Sequence, residues 1–101
     1  MINALRQQLE QIYPDGLNLE HHTKNLDKSP YTVNVLRVTS LKNWEISFFV
    51  ISFQHNNSQE TGFYTIVEDL KKLDEFIEKM YFNKKYDLQE CVNYCNHLLN
   101  R

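Results

Sequence analysis

Residues 44–54 read WEISFFVISFQ, and the fold turns on how that stretch is covered. Aromatic and β-branched residues dominate it, as they do in strands. Successive side chains of a strand point to opposite sides of the sheet. Trp44, Ile46, Phe48 and Val50 would therefore share one face, and Phe49, Ile51 and Phe53 the other. Antiparallel sheets with one wet face alternate apolar and polar residues cleanly. This stretch does not, so it belongs in a central strand with helices over at least part of both faces. Were every helix to crowd one face, the other would be left for a partner or a second copy.

The neighbouring segments have the same character. YTVNVLRVTS (31–40) is a strand with Tyr31, Val33 and Val35 on one face and Leu36 and Val38 on the other. The tripeptide LKN closes a hairpin into the opening stretch. HNNSQE is a second polar connection, leading to the strand GFYTIV (62–67). Short connections favour an antiparallel meander. Upstream, LNLEHHT (17–23) alternates weakly and reads as a short edge strand or a loop, with KNLDKSP a loop after it.

Helical spacing flanks the strands. Ile2, Leu5, Leu9, Ile12 and Tyr13 predict an amphipathic helix over 3–13, with Asn3 as N-cap. Pro14-Asp15-Gly16 ends it with turn chemistry. From residue 68, Leu70, Leu73, Phe76, Ile77, Met80 and Tyr81 form a helical stripe. The charged face beside it has the i,i+4 pairs Glu68–Lys72, Lys71–Glu75 and Glu75–Lys79. A last helix opens at Asp87, with Glu90 completing a variant capping box. Its stripe is Leu88, Cys91, Val92, Cys95, Leu98 and Leu99. The expected fold is α+β: an N-terminal helix, a three- or four-stranded antiparallel sheet and two C-terminal helices, in one domain over 1–101.

Bulk properties exclude several classes. The chain has 101 residues, 13 acids against 11 bases, a net charge of −2, two glycines and two prolines. That balance leaves no electrostatic footprint for nucleic acid. The longest apolar run is FFVI, far short of the roughly 18 residues of a membrane span. MINALRQQLEQIY lacks the basic start and apolar core of an export signal, so a cytoplasmic location and reduced cysteines are expected.

No catalytic motif is present, and neither glycine sits in a phosphate-loop pattern. The expectation is a protein that is not an enzyme and needs no cofactor. Cys91 and Cys95 with His97, joined by His21, His22 or His55, could be imagined as a zinc set. The spacing fits no standard knuckle, and both thiols lie on the apolar stripe, where they act as small hydrophobes. His21 and His22 are adjacent, so in an extended chain their rings diverge. TGFYTIV resembles part of an RNA-binding strand, but it lacks the basic residue and the element order that such a domain needs.

Two surfaces remain as candidates for partner binding. EDLKKLDEFIEK (68–79) is an acidic helix that could meet a basic surface through Asp69, Asp74, Glu75 and Glu78. The hairpin tip containing Asn56 and Asn57 is the second. For each, a plain solvated surface is the bland alternative.

The order α-βββ-αα, running from NALRQQLEQIY to LQECVNYCNHLL, resembles one group of phage-encoded anti-CRISPR proteins, small inhibitors of type II RNA-guided nucleases. The Asn, Lys and Ile content also looks like a gene of low-GC phage or mobile-element origin. The resemblance implies a non-enzymatic protein that docks on a basic nuclease surface and blocks DNA access. It includes no residue motif, so no functional residue carries over. The DNA-mimicking members are strongly acidic and this chain is not, which puts shape-based docking or trapping of an inactive nuclease beside charge mimicry. The other expectations are a small oligomeric accessory or immunity protein, including a homodimer, and a nucleic-acid binder.

Overall fold

The computed structural model describes residues 2–25, 31–55, 63–79 and 84–101. In chain order these form α1 (Ile2–Ile12), β1 (Leu17–Asn25), β2 (Tyr31–Ser40), β3 (Ser47–His55), β4 (Tyr64–Val67), a 3-10 turn (Leu70–Lys72), α2 (Leu73–Lys79) and α3 (Leu88–Leu99). The four strands make one antiparallel sheet in the order β1-β2-β3-β4. The α+β expectation holds, with four strands rather than three. None of the described helices is long and apolar enough to cross a membrane.

Register explains why β3 is apolar on both sides. Leu36 pairs with Val50 and Val38 with Phe48, while Val35 pairs with Ile51 and Val33 with Phe53. The first set belongs to a core built with Ile2, Leu5 and Leu9 of α1 and Cys91, Val92, Cys95 and Leu98 of α3. The second set belongs to a core closed by Leu73 and Ile77 of α2. So α1 and α3 share the first face of the sheet, and α2 takes the second. Both faces of β3 are covered within the chain. Each fully buried Leu, Ile, Val or Phe contributes about 1.5–3 kcal/mol through removal from water.

Helix ends follow local chemistry. The Asp87 carboxylate accepts from the Glu90 N–H (2.8 Å), and Glu90 accepts in return from the Asp87 N–H (3.2 Å). This reciprocal pair satisfies two donors that a helix start otherwise leaves open. In contrast, Asn3 is not an N-cap: α1 already includes Ile2, whose side chain is buried in the first core. Burial of that residue extends the helix past the polar signal.

Two boundaries move for physical reasons. The expected helix from 68 begins later, because Asp69 accepts from the Lys71 N–H (3.0 Å) and caps a 3-10 turn. Met80 and Tyr81 fall outside the described residues. The expected strand from Trp44 begins at Ser47 instead. Residues 41–46 are a connection, and Trp44 does not share a face with Phe48.

The two edges of the sheet differ. β4 has four residues, and Tyr86 pairs with its outer side through Tyr64 N–H to Tyr86 O (2.9 Å) and Tyr86 N–H to Tyr64 O (2.8 Å). β1 is the other edge, a full nine-residue strand rather than a short one.

Candidate functional site

The connection between β2 and β3 is short of apolar cover and rich in internal hydrogen bonds. The Ser40 N–H donates to Ile46 O and the Ile46 N–H to Asn43 O, both at 3.0 Å. The Ser40 hydroxyl accepts from the Asn43 N–H (3.3 Å), and the Asn43 side chain accepts from the Glu45 N–H (3.1 Å). Such Asx and Ser turns substitute for a backbone ladder. The Leu41 N–H reaches across to Gly16 O (3.0 Å), tying the connection to the turn after α1.

Trp44 stands on this braced turn, and it is 82% exposed. It is the only tryptophan of the chain. Leu41 beside it is 49% exposed. A lone exposed leucine is ordinary. A tryptophan whose backbone is fixed on both sides and whose ring is in water is the less common observation.

A cleft of about 350 Å³ adjoins the turn. Ile46, Phe48 and Leu98 contribute its apolar lining, and Glu45, Glu68 and Arg101 its charges. Glu68 is held from two directions: Arg101 Nη1 lies 3.2 Å from Oε1, and the Tyr94 hydroxyl donates to Oε2 at 2.9 Å. That hydrogen bond to Glu68 raises the Tyr94 pKa above the ordinary phenol value. Glu68 therefore looks to α3, not to Lys72 as helical spacing implied. A second cleft, about 230 Å³, shares Asn43, Ile46 and Arg101 and adds Tyr13 and Asn100. Tyr13 joins the helices there, donating to Asn96 Oδ1 (2.7 Å) and accepting from Asn100 Nδ2 (3.2 Å).

Of the residues expected at the binding surface, Asp69, Asp74 and Glu75 are exposed. Asp69 is committed to its cap. Asp74 is exposed and lies 3.6 Å from Lys24 Nζ of β1. Glu75 is exposed on α2. The side chain of Glu78, and Asn56 and Asn57 altogether, lie outside what the structure describes.

The histidines and thiols are dispersed. His21 contacts Asn34 through Nε2 (3.1 Å) on the first face, while His22 pairs with Val35 on the second. Cys91 and Cys95 are free, and both are fully buried. The hydrogen bond with Cys95 and burial both push the Cys91 thiol well above its ordinary range, so it stays protonated. His97 is exposed against the Tyr94 ring. Among the described residues, no three His, Cys, Asp or Glu side chains group as a metal would need.

Comparison with known proteins finds no matching family model, no matching curated protein and no matching solved structure.

Proposed function

We propose that this chain is a non-enzymatic protein-binding module that acts by stoichiometric docking, with Trp44 as the anchor. The observation that carries this reading is the 82% exposure of Trp44 on a turn braced by its own hydrogen bonds. Tryptophan is among the residues most enriched at energetic hot spots of interfaces. A fixed backbone limits the ordering cost that binding would otherwise incur. Clefts with mixed apolar and charged lining adjoin the turn through Asn43 and Ile46. The narrower version, inhibition of an RNA-guided nuclease, rests on the order of elements. Its form would be shape-based docking or trapping of an inactive nuclease, since net charge is only −2.

The single tryptophan makes the test direct. Protein carrying fluorine-labelled tryptophan has one resonance, which can be followed while type II nucleases are added and DNA cleavage is assayed. Expected are a saturating shift at one equivalent and loss of cleavage. Trp44→Ala should weaken binding by about 2 kcal/mol or more. An unmoved resonance and intact cleavage with every nuclease at micromolar concentration would remove the nuclease version. Any partner that binds the alanine variant at full affinity would remove Trp44 as the anchor.

A further inference from the structure

We infer that the outer edge of β1 is a self-pairing surface, on which a second copy of this chain adds its own β1 antiparallel to form an eight-stranded sheet. The observations are independent of Trp44. Proteins usually blunt sheet edges by shortening, bulges, proline or a covering segment. This chain does so at β4, where Tyr86 occupies the outer side of a four-residue strand. Among the described residues none of these covers β1, whose edge carries only the charges of Glu20 and Lys24. That strand pairs with β2 over nine consecutive residues without a bulge, and its sequence LNLEHHTKN contains no proline. Asn18, Glu20, His21, His22, Thr23 and Lys24 are all exposed. Among the described residues, none pairs with its outer side.

The sequence of β1 selects a second copy as the occupant, because it is complementary to itself. The register that overlaps all nine residues puts His21 opposite its own copy. That same register sets Glu20 against His22 of the other protomer, twice. Both residues lie on the second face, where Glu20 also has Arg37 opposite it on β2 and His22 has Val35. An imidazole N–H donates to a carboxylate, and hydrogen-bonded cross-strand pairs stabilise antiparallel ladders. Lys24, the remaining charge of that face of β1, meets Asn18 in this register and keeps its own-chain neighbour Asp74 at 3.6 Å. On the first face, Leu19 meets Thr23. No like charges oppose one another along the strand.

Sedimentation of the full chain from micromolar to millimolar concentration tests this, with Glu20→Lys, His22→Glu and the double variant. All are exposed sites, and circular dichroism checks that each variant keeps its fold. Wild type should show a monomer–dimer equilibrium. Either single reversal should weaken the dimer by about tenfold, since two equivalent pairs change together. The double variant, which sets a lysine at position 20 against a glutamate at position 22 across the seam as complementary partners, should recover it. A monomer at millimolar concentration overturns the inference. So does a dimer indifferent to both single reversals, which would place the interface elsewhere.

Discussion

Tyr64 lies beneath α3, 3% exposed, in the same core as Cys91. Burial first, and the neighbouring Cys91 second, raise its pKa from 10.0 to about 12. Between those values the folded state holds more protons than the unfolded chain. Stability therefore falls as pH rises there: the contribution is complete below about 10 and is lost by about 12. A shift of this size corresponds to about 2–3 kcal/mol. Urea melts at a series of alkaline pH values should show a decline that is shallower in Tyr64→Phe. An equal slope in the two proteins would assign the decline to other groups.

Among the elements, α3 has its start most clearly written in local chemistry. Asp87→Ala removes the acceptor of the Glu90 N–H and should cost about 1 kcal/mol, read as a lower urea midpoint with an unchanged slope. A loss near zero would mean that tertiary packing alone sets the start of α3. This capping box was legible because it is local, spanning the four residues from Asp87 to Glu90. The two-sided burial of β3 was legible too, since strand periodicity fixes faces before any partner is known. Trp44 was misplaced for the same reason. Trp and Ile are good strand formers, so the alternation runs on through residues 44–46, while the turn is fixed by Ser40 and Asn43 side chains. The contacts of Glu68 with Tyr94 and Arg101 join residues 26 or more apart, and helical spacing pointed to Lys72 instead. Lys24 likewise comes to Asp74 from a strand far away in sequence. Local signals were readable, and the pairings that decide the surface were not.

At the scale of the molecule, two cores share one sheet, and no side chain of β3 belongs to both. The backbone ladder couples them. Phe48→Ala empties the first core and Phe53→Ala the second; each should cost about 3–5 kcal/mol. If the sheet couples the faces, both variants unfold in one transition that circular dichroism and hydrogen exchange report together. Two separate transitions in Phe53→Ala would show that α2 and its face melt alone.

The placement of the helices also sets a timetable for synthesis. Residues emerge in order, at about 5–20 per second. The second core needs nothing beyond Ile77 of α2 among the described residues, so all of its parts are translated before α3. The first core needs Ile2, Leu5 and Leu9 from α1 together with Cys91, Val92, Cys95 and Leu98 from α3. The apolar side of α1, translated before the other elements of this fold, must wait for α3 before it is covered. Until α3 is free to pack, that side of α1 stays uncovered, and it is there that a ribosome-bound chaperone would find its hold.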